Sequence, residues 1–418
     1  MLKPSRVLVV GLNYPPETTG IAPYTGGAAR GLLERGFDVR VVATHPHYPG
    51  WRLWEGYGGW TRDETLDGVR VNRLRHYVPR RPTPVARALS EATFGLRQAL
   101  RPWGRIDAVV AVSPALISSA IVLLRAKLSH RHAPFVVWVQ DLYGVGISET
   151  AQGGGAAARV VRAIEGLLLR SASTVVVIHE RFGDRVHKDF GVPRERIAVI
   201  RNWTHLPSLP PVDVSAVRAA RGWADDEVVV VHTGNMGVKQ GLHHVVDAGR
   251  LAHDRGARVR FVLVGNGSQR DELQQRAEAQ PTTTQFLPPL GDRDFTDILQ
   301  AADILLVNEL PGVAEMAVPS KLTSYFAAGR PVLAATDSTG ITAQEVRAAD
   351  AGLVVSAGDP SALLDGVSAL MADRAAADLL GQNGKRYRET VLDETFAIDR
   401  FDSLLADLIA TAAEKHPA

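Results

Sequence analysis

Eleven residues near the middle of the chain, "HTGNMGVKQGL" from His232 to Leu242, combine three glycines and one lysine between an apolar run and a helical pattern. Glycines let backbone N–H groups approach an anion closely, and the start of the next helix adds partial positive charge. A lysine supplies a point charge suited to a diphosphate. Gly234, Asn235, Gly237, Lys239, Gln240 and Gly241 are therefore candidate anion-binding residues, and a plain tight turn with a solvated lysine is the competing reading. A second stretch, "VPSKLTSYFAAGRPVLAA" (Val318–Ala335), again sets a lysine at a helix entry, here Ser320-Lys321 after Pro319. The chain has seven lysines among its 47 basic residues, so arginine is its default cation, and two lysines at two such entries point to a shared anion. In the first half, "NYPPETTGIAPYTGG" (Asn13–Gly27) presents Gly20 after a strand, and "VVWVQDLYG" ends a strand with Asp141. Loops at the carboxyl ends of strands are where doubly wound folds bind ligands. Asp141 is either a turn cap or an acid at a reacting centre.

Other chemistries are excluded or weak. Lys239 is followed by Gln240 rather than Ser or Thr, which breaks the Walker pattern, and Gly11 is not followed by the spacing of a dinucleotide fingerprint. Cysteine is absent, so disulfides, thiolate metal sites and cysteine nucleophiles are excluded. Asp292 and Asp294 open a helix, where Asp is an ordinary cap, and adjacent His243 and His244 do not share a helix face; no metal site is expected. "THPHYPGW" (Thr44–Trp51) lines an acceptor pocket or is a packed loop. A net charge of +2 is no nucleic-acid footprint. The start of the chain lacks the apolar length of a secretory signal, and Ala108–Leu124 is too short and too interrupted for a membrane span. A cytoplasmic protein is expected. In Val78–Arg105, six arginines stand against one acid, with Phe94, Leu96 and Trp103 between them. That mixture suits peripheral contact with an anionic membrane surface, and equally a solvated helix packed on a core.

These residues must be positioned by an alternation of valine-rich runs and helical patterns. Val7–Leu12, Val39–Ala43, Ala108–Val112, Phe135–Val139, Thr174–Ile178 and Ile197–Ile200 read as strands. Tyr24–Arg35 and Ala115–His130 read as helices between them. Continuous apolar runs suit parallel strands covered on both faces. Three prolines in Thr204–Ser215 mark a linker, after which Val228–Val231, Arg260–Val264, Asp303–Val307 and Pro331–Ala335 restart the pattern. The expected fold class is α/β, with two Rossmann-like doubly wound domains facing a cleft. Their expected ranges are 1–204 and 205–392, and the remaining residues, 393–418, form a helix packing back across the junction.

The order of "GLNYPPETTGIAPYT", "HPHYPGW", "WVQDLY", "VIRNW", "GNMGVKQGL", "VGNGSQ" and "PSKLTSYFAAGRPVLA" resembles family 4 glycosyltransferases of the GT-B fold, over nearly the whole chain. It looks most like their colanic-acid and capsule-type fucosyl or N-acetylfucosaminyl transferase branch. The resemblance implies a nucleoside-diphosphate sugar donor, a glycan or polyprenyl-linked acceptor, and a retaining transfer that needs neither metal nor cofactor. Carried over by position, Gly234–Gly241 cradle the donor diphosphate with Lys239 as counter-charge, and Ser320 and Lys321 complete the phosphate site. Gly265 and Asn266 lie near the nucleoside with Phe286 and Leu287, while Gly20 and Asp141 face the donor from the other domain. Two departures stand out. Many members carry two glutamates eight apart in the last motif, where this chain has Ser324 and Met316, with Glu315 one residue off. Many also carry an arginine where this chain has Asn235. A nucleotide-sugar epimerase of the same fold and a non-catalytic sugar-nucleotide-binding partner are the competing functions.

Overall fold

The computed structural model describes residues 4–18, 20–81, 83–142, 155–203, 210–312 and 321–415. The chain divides into two compact units, Met1–His205 with Glu394–Ala418, and Leu206–Asp393. In the first unit the strands are β1 (Arg6–Val10), β2 (Asp38–Thr44), β3 (Thr61–Leu66), β4 (Val69–Leu74), β5 (Ala108–Ser113), β6 (Phe135–Val139), β7 (Thr174–Val177) and β8 (Ile197–Val199). Its helices are α1 (Ala22–Glu34), α2 (Pro84–Leu100), α3 (Leu116–Ser129), α4 (Ala156–Ser171) and α5 (Glu180–Phe190). The sheet order is β3-β4-β2-β1-β5-β6-β7-β8, parallel except for the β3–β4 hairpin. Strands β5 and β6 are buried along their whole length, which is why they read as unbroken apolar runs. The hairpin departs from the sequence expectation, which placed no strand there. Its outer strand β3 is charged and exposed, its inner strand β4 alternates apolar and polar residues, and Asp67-Gly68, both at positive φ, make the turn.

The second unit holds β9 (Val228–Thr233), β10 (Val259–Val264), β11 (Thr284–Leu287), β12 (Ile304–Asn308), β13 (Val332–Thr336) and β14 (Gly352–Ser356). Its helices are α6 (Val214–Ala220), α7 (His243–Asp254), α8 (Arg270–Glu278), α9 (Asp292–Ala301), α10 (Lys321–Ala328), α11 (Ile341–Ala348), α12 (Pro360–Ala372) and α13 (Arg374–Thr390). All six strands are parallel in the order β11-β10-β9-β12-β13-β14. Numbered from its first strand this is 3-2-1-4-5-6, the doubly wound dinucleotide-binding order. The order reverses between β9 and β12, so the crevice outside their carboxyl ends is where such a sheet offers a ligand site.

The last helix, α14 (Glu394–Lys415), belongs to the first unit. Ala397, Ile398, Phe401 and Leu405 enter that unit's core, with Phe401 set edge-on against Trp138 at 4.8 Å between ring centroids. Arg30 of α1 pairs with Glu394 at 2.7 Å. Among the described residues no helix is long and apolar enough to cross a membrane.

Candidate active site

The β9–α7 loop and the start of α10 meet at the point where the second unit's strand order reverses. After β9 the chain runs Gly234–Leu242 through one turn of 3-10 helix (Val238–Gln240), which Gly241 ends in the left-handed conformation. The loop is fastened from below by the end of β12. Asn308, fully buried, donates from Nδ2 to the carbonyls of Gln240 at 2.7 Å and Gly241 at 3.1 Å, and the Leu310 N–H donates to the Lys239 carbonyl at 2.8 Å. From the side it is fastened by the β10–α8 loop, where Met236 N–H donates to Asn266 O at 2.8 Å. Gly265 has φ +138°, and a Cβ there would overlap the Gly234 carbonyl oxygen, so only glycine lets the two loops touch. Gln240 turns inward and accepts from Gly237 N–H at 3.1 Å, and Asn266 accepts from Gly267 N–H at 2.8 Å. Asn235 and Gly234 remain exposed, and the Lys239 side chain makes no hydrogen bond or ion pair with the described residues.

Lys321 opens α10, and its Nζ lies within 4.0 Å of where a Gly234 Cβ would stand. Helix α10 is held against the sheet by Tyr325, whose hydroxyl accepts from Thr233 N–H at 2.9 Å and donates to Leu306 O at 3.3 Å. Burial pushes that phenol up to about 12, so it stays a neutral donor. Lys321 Nζ stands 3.3 Å from His232 Nε2. His232 is fully buried, and its Nδ1 lies 3.1 Å from the Leu306 carbonyl, which can only accept. Nδ1 therefore carries the ring hydrogen and Nε2 presents a lone pair to the lysine. Burial first, then Lys321, holds this imidazole well below its ordinary range, so it is neutral. Burial likewise pulls the Lys321 ammonium down to about 8, against the opposing pull of Glu309. Glu309 does not reach the lysine as a bonded partner. Its Oε1 accepts from Thr342 at 2.6 Å and its Oε2 from Thr336. The result is a desolvated ammonium, held by a neutral acceptor, beside a glycine loop whose Gly234 and Asn235 are exposed. Such an arrangement binds an oxyanion, because an incoming anion supplies the counter-charge that the fold leaves out.

Of the other residues singled out in the sequence, Ser324 is buried one turn after Lys321 on α10, and Ser320 lies outside the described residues, as do Glu315 and Met316. Phe286 and Leu287 are half-buried in β11. Gly20 (φ +66°) and Asp141 sit in the first unit, in the loops after β1 and β6, with Ser113 Oγ donating to the Asp141 carbonyl at 3.3 Å. Asp292 and Asp294 occupy the first turn of α9, but Gly291 takes the cap position and neither carboxylate caps the helix. No group of three His, Asp or Glu side chains among the described residues could hold a metal ion. The Thr44–Trp51 loop is packed rather than open. His45 Nε2 bonds Gly59 O at 2.8 Å, and Glu17, buried beneath it, accepts from the His47 and Tyr48 N–H groups. Phe94 and Trp103 turn into the core, so for these two residues the packed-helix alternative holds, while Leu96 is exposed. His232, Asn308 and Tyr325 carried no expectation. A histidine one residue before a glycine loop and an asparagine ending an apolar strand were the signals present.

Residues 19–203 match a glycosyl transferase 4-like domain, and residues 227–373 match the glycosyl transferases group 1 domain. The putative colanic acid biosynthesis glycosyl transferase WcaI of Escherichia coli (strain K12) is 30% identical over 338 residues, covering 78% of this chain and 81% of that protein. The chain belongs to the glycosyltransferase family. Solved structures give this glycosyltransferase the GT-B fold. The sucrose-phosphate synthase of Thermosynechococcus elongatus superposes with a TM-score of 0.69 at 17% identity, over 97% of this chain and 100% of that one. Anabaena Alr3699/HepE, in complex with UDP and glucose, gives 0.68 at 16% identity, over 96% and 100%.

Proposed function

We propose that this glycosyltransferase moves a sugar from a nucleoside-diphosphate donor to a glycan or polyprenyl-linked acceptor in surface polysaccharide synthesis. Transfer proceeds with retention of anomeric configuration and without a metal. The observation that carries the reading is Lys321, desolvated and without a bonded carboxylate among the described residues, beside the glycine loop where β9 and β12 diverge. As the glycosidic bond breaks, negative charge grows on the leaving diphosphate. Fixed cations and N–H groups stabilise that charge more in the transition state than in the ground state. Lys239 and Lys321 take the role that a divalent ion plays elsewhere, and Asp141 acts on turnover from the first unit. Gly20, Gly234, Asn235, Gly237, Gln240, Gly241, Gly265, Asn266, Ser320 and Ser324 complete the donor contacts. The relative named for colanic acid biosynthesis supports the polysaccharide assignment, and the UDP-bound neighbour supports a nucleotide donor.

Peripheral contact with an anionic membrane at the cytoplasmic face is part of the same reading, through α2. Val85, Leu89, Leu96 and Leu100 are exposed on that helix and lie on one face at helical spacing. The test is a thermal-shift screen of UDP-, GDP- and dTDP-sugars, followed by transfer assays with the stabilising donor in excess EDTA. Transfer should survive the chelator. Loss restored by Mn²⁺ or Mg²⁺ would overturn metal independence. Isomerisation of donor without acceptor would assign an epimerase, and donor binding without any turnover would assign a non-catalytic partner.

A further inference from the structure

A second polar cavity lies in the first unit, near the amino-terminal ends of β2 and β4 and under the end of α2. It has a volume of about 450 Å³. Arg40 of β2 and Arg70 of β4 stand directly opposite one another in the parallel register, an arrangement of like charges that costs stability unless something neutralises it. Arg101, just past the end of α2, is the third guanidinium lining the space. The carboxylates nearby are already committed. Asp38 pairs with Arg70, Asp63 accepts from Asn72 at 2.6 Å, and Glu64 pairs with Arg62 and Arg73. Among the described residues neither Arg40 nor Arg101 has a carboxylate within ion-pair distance. Arg40 donates instead to the Trp103 carbonyl at 2.5 Å. Burial, then Arg70 and Arg101, disfavours the charge on Arg40 against the opposing pull of Asp38, and a guanidinium cannot relieve this by losing its proton.

The cavity wall also holds two polar groups with nothing to bond. Gln98 is fully buried, and both its amide nitrogen and its amide oxygen lack a hydrogen-bond partner, as does Nη1 of Arg101. A buried amide left unsatisfied at both ends is costly, and a ligand bearing acceptors and donors removes that cost. The space greatly exceeds a bare phosphate and lies within the range of small-molecule pockets.

We propose that this cavity is a second ligand site for a small organic phosphate, its phosphate seated among Arg40, Arg70 and Arg101 and its hydroxyls on the Gln98 amide. The site is independent of the donor loop, because none of its residues belongs to the second unit.

Calorimetric titration of the full chain with glucose 6-phosphate tests it, beside titration with inorganic phosphate. Glucose 6-phosphate should bind the wild type and a Lys239→Ala/Lys321→Ala variant equally, and should bind more tightly than inorganic phosphate. Arg101→Gln should weaken it by about tenfold or more, since a charge-assisted contact is lost. Gln98→Leu, which keeps the buried volume, should weaken it while leaving the melting temperature intact or raised. Absence of binding at millimolar concentration would overturn the proposal, and so would equal affinity for inorganic phosphate. Binding that disappears in the double lysine variant and persists in Arg101→Gln would overturn it too, by placing the phosphate at the lysines. Nucleoside-diphosphate binding to the same double variant tests the donor reading separately.

Discussion

Lys321 sits where a lysine is least comfortable, and that discomfort can be measured. Its ammonium is pulled down to about 8 by burial, so below that pH it is charged and above it increasingly neutral. A nucleoside diphosphate should therefore bind less tightly as pH rises above 8, losing at most about tenfold per unit until the lysine of the complex, whose charge the bound anion favours, also loses its proton. The sign for the empty protein is opposite. The folded state binds fewer protons than the unfolded state between about 8 and 10.4, so this residue's contribution to stability rises with pH across that window. Titration of donor affinity against pH checks the first statement, and Lys321→Met should flatten the profile. Lys239→Ala and Lys321→Ala should each lower kcat/KM by about ten- to a hundred-fold, equivalent to roughly 1.5–3 kcal/mol per charge-assisted contact. If both variants keep wild-type kcat/KM, the loop is only a turn. His232→Leu removes the acceptor for Nζ, so it should loosen the lysine and shift the pH profile, whereas His232→Gln should preserve part of the effect. Rarity and helix-entry position single out both lysines in the sequence, and the structure sets Lys321 beside Gly234. His232 and Glu309 were not legible there, since their relation to Lys321 spans 89 and 12 residues and exists only once β9, β12 and α10 are side by side.

At the scale of elements, continuous apolar runs announced the buried parallel strands within a residue or two. The same signal failed for β3, a charged and exposed edge strand, for β4, which alternates apolar and polar residues, and for β11 and β14, which are only half-buried. Helix α2 shows a different limit. Its sequence mixes arginines with apolar residues, and composition alone left open whether Phe94 and Trp103 face the surface or the core. The 3.6-residue turn sends Phe94 inward and leaves Val85, Leu89, Leu96 and Leu100 outside. Replacing Leu89, Leu96 and Leu100 with serine should therefore reduce co-sedimentation with phosphatidylglycerol vesicles by about tenfold or more, while stability changes little because exposed side chains contribute little to the fold. Equal pelleting of wild type and variant would remove α2 from the membrane contact. Gly265→Ala is the corresponding test of the β10–α8 loop. The added methyl meets the Gly234 carbonyl, so nucleotide affinity should fall before global stability does.

For the molecule as a whole, the two-unit partition sets how damage spreads. Phe401→Ala empties a fully buried position against Trp138 and should cost about 3–5 kcal/mol, all of it in the first unit. Two-transition melting, with only one transition displaced, is the expected calorimetric outcome; a shift of both would mean the units unfold as one. The alternation of strands and helices made the doubly wound class legible, because it is repeated across the chain. Which unit the last helix serves was not, since its apolar face would suit either core. That placement of α14 has a consequence for synthesis. The second unit is an uninterrupted stretch, so it leaves the ribosome whole and can fold on the nascent chain. The first unit begins earlier yet lacks Ile398, Phe401 and Leu405 until the whole second unit has been made. The unit begun first is therefore the later of the two to close its core, and its waiting sheet is the surface that a ribosome-associated chaperone would have to shield.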